Sequence, residues 1–129
     1  MVFRGLIAVL VLAVAVAGCR TAPLQNIEGQ ALPIPAGKAV TLEQVRGAII
    51  RGGGALGWQM RDEGPNKLVA TLTLRDHTAV VDIPYSTTTY GIKYRSSTNL
   101  NESGGQIHSN YNGWVQNLQR SINTQASML

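Results

Sequence analysis

Cys19 is the sole cysteine in 129 residues, so no disulfide can form within the chain. Histidine is nearly as scarce, and His77 and His108 without further cysteines fall short of any zinc-ligand pattern. Gly52-Gly53-Gly54 lacks the Lys-Ser/Thr that completes a phosphate-cradling loop, and no Gly-x-Ser-x-Gly nucleophile elbow is present. Asp62 and Glu63 lie beside a turn with no evident carboxylate partner across a cleft, which gives glycosidase chemistry little support. These absences predict no metal, no cofactor and no catalytic residue. A membrane-spanning run is missing as well. Leu6–Ala17 is 12 residues, and the uncharged stretch Gly5–Cys19 between Arg4 and Arg20 is 15. A spanning helix needs about 20 residues, with about 17 as a practical minimum.

The short apolar run still has a clear use. Arg4 supplies a positive charge before it, it shows no polar face of the kind a core helix carries, and it ends in the small residues Val16-Ala17-Gly18. Residues 1–18 therefore read as a cleaved export signal. Val16-Ala17-Gly18-Cys19 resembles the lipobox of bacterial lipoproteins. That resemblance implies cleavage between Gly18 and Cys19, a diacylglyceryl thioether on Cys19, and acylation of the new amine by a chain such as palmitate. Two or more acyl chains hold a protein stably on a bilayer, where one holds it only marginally. Residue 20 is Arg; in many such families an Asp there marks inner-membrane retention, so the resemblance implies an outer-membrane anchor with the domain facing the periplasm.

The length allows one domain. Residues 19–40, with Pro23, Gly29, Pro33, Pro35 and Gly37 and no clear period, read as a lipidated N-terminus and flexible linker. The alternative is an extended arm in which Ile27, Leu32 and Ile34 pack back on the domain. The domain proper is expected over 41–129. Thr41 and Gln44 form a capping-box pattern before Leu42, Val45 and Ile49 at helical spacing, and Gly52-Gly53-Gly54 is expected to end that helix. Gly47 inside it suggests close approach to a sheet.

The period then changes from 3.6 to 2. Trp58 and Met60, then Leu68, Ala70, Leu72 and Leu74, then Ala79, Val81, Ile83 and Tyr85, then Tyr90, Ile92 and Tyr94 each alternate with other residues. Glu63-Gly64-Pro65-Asn66 and Asp76-His77 supply the first two connections, and Ser86–Thr89 the third. Pro84, which has no amide donor, belongs at a strand end or edge. Over Gly104–Gln125, Ile107, Tyr111, Trp114, Val115, Leu118 and Ile122 fall on one helical stripe in spite of poor propensity. The expected fold is α+β: a two-layer sandwich in which a four-stranded antiparallel meander carries two helices on one face, in the order α-β-β-β-β-α.

Three segments together, Gly54-Ala55-Leu56-Gly57-Trp58, Tyr90-Gly91-Ile92-Lys93-Tyr94 and Ile107-His108-Ser109-Asn110-Tyr111-Asn112-Gly113-Trp114-Val115, look like a family of small uncharacterised proteobacterial lipoproteins. The resemblance bears on fold and location and implies no activity.

Two surfaces are candidate ligand sites. His108, Asn112 and Gln119 form a polar row on the flank of the last helix; the plainer alternative is a half-buried His bonded locally. Lys67, Thr71, Thr73, Arg75, Lys93 and Arg95 share the outward parity of the sheet, with Asp82 as the principal acid among them. Such a face suits envelope glycolipid or peptidoglycan, or is an ordinary solvated face. A net charge of +4 would suggest nucleic acid in a cytosolic protein, but export argues against it. The sequence thus predicts a non-enzymatic, membrane-anchored envelope lipoprotein with a small binding domain. The alternatives are an assembly accessory acting by protein–protein contact and, last, an envelope enzyme using His108.

Overall fold

A computed structural model describes residues 20–129. The expected export signal and the lipidation site at Cys19 lie outside those residues. Thr41 starts the first helix by a reciprocal cap: its Oγ1 accepts the Gln44 N–H at 3.1 Å, and Gln44 Oε1 accepts the Thr41 N–H at 2.9 Å. From there α1 runs over Leu42–Ala55 and buries Val45, Ala48 and Ile49.

The expectation that Gly52-Gly53-Gly54 ends this helix is wrong, because all three lie within it. Gly52 and Gly53 serve packing. A Cβ on Gly52 would stand 2.9 Å from both Cα and N of Ile122, and one on Gly53 would stand 2.6 Å from Met60 Sδ. Contact with a second helix thus outweighs the propensity cost of glycine, about 1 kcal/mol per residue. The close approach expected at Gly47 is not to the sheet, since a Cβ there meets only the Arg51 guanidinium.

The alternating segments form β3 (Gln59–Asp62), β4 (Lys67–Leu74), β5 (His77–Pro84) and β6 (Thr89–Thr98), each antiparallel to the next. Pro84 is the last residue of its strand. The β4–β5 loop is Arg75-Asp76 rather than Asp76-His77, because His77 pairs with Leu74. Arg75 takes φ +57°, as the first position of such a two-residue hairpin loop requires.

The sheet has five strands, not four. The added strand comes from the segment expected to be a linker: β2 (Ile27–Ala31) pairs antiparallel with β6, giving the order β2-β6-β5-β4-β3. Upstream, β1 (Thr21–Pro23) pairs with β7 (Gln106–His108) as a separate two-stranded sheet. Residues 21–31 are therefore built into the fold, as the extended-arm alternative supposed.

The last helix, α2 (Ser109–Ala126), begins later than expected. Ile107 is buried from strand β7 and not from the helix. The reason is a tight turn at Gly104-Gly105, where φ of +56° and +79° lets Ser103 and Gln106 exchange both backbone hydrogen bonds. Leu68, Ala70, Leu72, Ala79, Val81 and Ile83 join Val45, Ile49, Tyr111, Val115, Leu118 and Ile122 in one core. Both helices thus cover one face of the sheet, and each large aliphatic side chain buried there contributes about 1.5–3 kcal/mol.

Candidate functional site

The polar row on α2 is real, and its ligand is the chain itself. Asn112, only 7% exposed, accepts the Gln25 N–H on Oδ1 at 3.0 Å and donates from Nδ2 to the Pro23 carbonyl at 2.9 Å. One side chain thus substitutes for a strand partner at the gap between β1 and β2. Along the same flank, Gln116 Nε2 donates to Gln25 Oε1 at 3.2 Å and Gln119 Nε2 donates to Gln30 Oε1 at 2.8 Å. One turn on, Asn123 Oδ1 accepts the Tyr90 hydroxyl at 2.6 Å.

His108 is also engaged by the fold. It ends β7 and caps α2, its Nδ1 accepting the Asn110 N–H at 3.2 Å while its own N–H donates to the Leu100 carbonyl at 2.8 Å. The local hydrogen bonding weighed as its plainer reading is what the geometry shows. His77, expected in the β4–β5 connection, lies 6.4 Å by ring centroid from both His108 and Trp114 and shares a 2.8 Å hydrogen bond through Nδ1 with the Asn99 carbonyl. Among the described residues, no group of three or more His, Cys, Asp or Glu is placed to hold a metal ion.

The outward sheet face brings Lys67 and Arg95 together but surrounds them with acids. Arg95 Nη1 stands 2.6 Å from Glu63 Oε2 and 3.2 Å from Asp82 Oδ1, and Lys67 Nζ stands 3.2 Å from Glu63 Oε1 and 3.7 Å from Asp82. Arg61 approaches Glu63 at 3.5 Å, and Lys93 pairs with Glu28 at 3.4 Å on β2. Hydrogen bonds from Arg95 and then Lys67 hold the Glu63 carboxyl below the ordinary carboxylate range. Glu63 is the hub of this network, and sequence parity missed it because it sits in the β3–β4 turn.

Arg75 does not belong to this face, since the hairpin loop carries it to the end of the sheet. Asp62 is likewise engaged, held at 2.8 Å and 2.6 Å by the Arg46 guanidinium, which ties α1 to β3.

The surface also carries open hollows. One, of about 480 Å³, is lined by Glu28, Pro84, Tyr85, Ser86, Thr89 and Lys93 among others. A smaller dent of about 160 Å³ is lined by Leu56, Trp58, Leu72, Leu74, Trp114 and Asn117. Sequence reading missed the dent because its members come from β4, α2 and the loop between α1 and β3. No family model, no curated protein and no solved structure matches this chain.

Proposed function

We propose that the protein is a lipoprotein of the bacterial cell envelope, cut before Cys19 and held by lipid on that residue at the periplasm-facing side of the outer membrane. In this reading its domain is non-catalytic and binds another envelope component. The apolar run and Val16-Ala17-Gly18-Cys19 motivate the anchor. The structural observation that carries the reading is how soon the fold begins: the Arg20 carbonyl accepts the Ser109 N–H at 2.6 Å, and Thr21 already pairs with His108. In this reading the lipid-bearing residue is followed at once by a residue bonded into the fold. Among the described residues, no helix is long and apolar enough to cross a membrane, so attachment in this reading falls to the lipid.

The binding surface proposed is the sheet face not covered by helices. Its charge favours a protein over a polyanion. Glu63 and Asp82 offset Lys67 and Arg95, and Glu28 offsets Lys93, so the face presents both signs side by side. A glycolipid or peptidoglycan partner would meet those carboxylates as well as the cations.

A photo-crosslinking residue placed at Thr71 or Thr73 in intact cells tests this. The expected product is a discrete adduct with one envelope protein, weakened by Arg95→Glu. Adducts only to glycolipid or peptidoglycan would restore the polymer reading, and no adduct at either position would contradict binding through this face.

A further inference from the structure

The small apolar dent lies at the same end of the molecule as the chain entry from Cys19. Thr21 pairs with His108 in the β1–β7 ladder, the His108 and His77 rings are 6.4 Å apart, and His77 stands 6.4 Å from Trp114 in the wall of the dent. His77 also pairs with Leu74, the dent residue on the hairpin tip. Leu74 is 47% exposed and Leu56 is 43% exposed, unusual for leucines beside two tryptophans and the buried Leu72. Among the described residues, the other large exposed apolar side chains, Leu42 and Met128, lie at the start of α1 and just past the end of α2.

We infer that this dent is a membrane-docking face: Leu56, Leu74 and Trp114 rest in the headgroup–acyl boundary of the bilayer that holds the lipid on Cys19. The inference rests on the lipid-anchor reading and adds an orientation to it. Three physical points carry it. Residues 1–19 end one position before Arg20, whose carbonyl is bonded to the first residue of α2, so an anchored Cys19 brings this end of the molecule to the lipid surface. Tryptophan and leucine are the side chains that favour the interface, with an apolar body and, for Trp, a polar N–H. Because the anchor already confines the domain at the bilayer, a second contact needs little area to be occupied, since its effective concentration is high. This orientation turns the hairpin tip Leu74–His77 and the start of α2 toward lipid.

Trp58 and Trp114 are the only tryptophans in the chain, and both line the dent, so tryptophan emission reports this site alone. The test uses the full chain, expressed and processed in cells and purified with its anchor. It is reconstituted into phosphatidylethanolamine–phosphatidylglycerol vesicles with plain or brominated acyl chains. Flotation reads the anchor and quenching reads the docking. Expected is flotation with the vesicles and a loss of roughly a third of the emission in brominated lipid, as shallow insertion at the acyl boundary would give. Leu56→Asp with Leu74→Asp should still float and should lose the quenching. Flotation of the unsubstituted protein with equal emission in both lipids overturns the docking face while leaving the anchor reading intact. Quenching that survives in the double variant also overturns it. A chain that does not float overturns both. The comparison on the unsubstituted protein decides the question even if the double variant does not fold.

Discussion

Asn112 accepts the N–H of Gln25 and donates to the carbonyl of Pro23, residues 87 and 89 positions earlier in the chain, so one amide on α2 closes the fold onto its N-terminal arm. The arm pairs with a strand at each end, β1 with β7 and β2 with β6, and Asn112 holds the turn between. The row that resembled a ligand-reading surface is therefore an internal seam.

Replacing Asn112 with Ala removes both bonds and leaves the Gln25 N–H and the Pro23 carbonyl without those partners. A loss of about 1–3 kcal/mol is expected. The distinctive sign is regional: amide exchange over residues 21–31 should rise more than over β4 and β5. Uniform acceleration across the sheet would show that the arm is not a separately held unit.

Gly52 and Gly54 lie two residues apart in α1 and should respond in opposite ways. Gly54→Ala meets nothing within 4 Å and should stabilise by up to about 1 kcal/mol through helix propensity. Gly52→Ala drives a methyl against the Ile122 backbone at 2.9 Å and should cost about 1–3 kcal/mol as the helices part. Denaturant midpoints of the two variants check this, and equal shifts would refute the close packing.

Two buried tyrosines make a similar pair. Burial pushes both hydroxyls to higher pKa, but Tyr90 donates to Asn123 Oδ1 at 2.6 Å, whereas the Tyr111 hydroxyl has no hydrogen-bond partner among the described residues. Tyr90→Phe should destabilise by about 1 kcal/mol. Tyr111→Phe should be neutral or slightly stabilising, since it removes a polar atom with no partner and keeps the edge-on contact with Tyr94 at 5.6 Å. A Tyr111→Phe variant less stable than Tyr90→Phe would contradict the assignment.

How far these features could be read from the chain depends on the range of the contact. The α1 cap and the meander were legible because their signals are local: Thr41 and Gln44 are three residues apart, and Glu63-Gly64-Pro65-Asn66 turns within four. Strand β2 was not, because it pairs with β6 some 60 positions later and a register shift between Ile27 and Gln30 erases its alternation. Gly52 and Gly53 misled because the contacts that want them, Ile122 on α2 and Met60 on β3, lie on other elements. Ile107 fitted the helical stripe equally well as a buried strand residue, and a single position cannot separate periods of 2 and 3.6. On the charged face, parity gave Lys67, Lys93 and Arg95 correctly but could not show that Glu63 and Glu28 would reach them.

Acid should weaken the fold in a defined window. Hydrogen bonds from Arg95 and Lys67 lower the pKa of Glu63, and a bidentate pair with Arg46 lowers that of Asp62. A group with a depressed folded-state pKa contributes stability above its unfolded value, here 4.5 for Glu63 and 3.8 for Asp62, and loses it as pH falls through the lower folded value. Thermal midpoints should therefore hold steady from about pH 7 to about pH 5 and fall below about pH 4. High salt should blunt the effect because both pairs are exposed. In Arg95→Gln the fall should be shallower, and an unchanged profile would remove the network from the account.

Intact-mass measurement of the protein extracted from cell membranes decides whether Cys19 carries lipid. Expected is a mature chain that begins at Cys19 and is heavier than its residues by a diacylglyceryl group and one further acyl chain. A mass that retains residues 1–18, or a chain beginning at an unmodified Cys19, would contradict it.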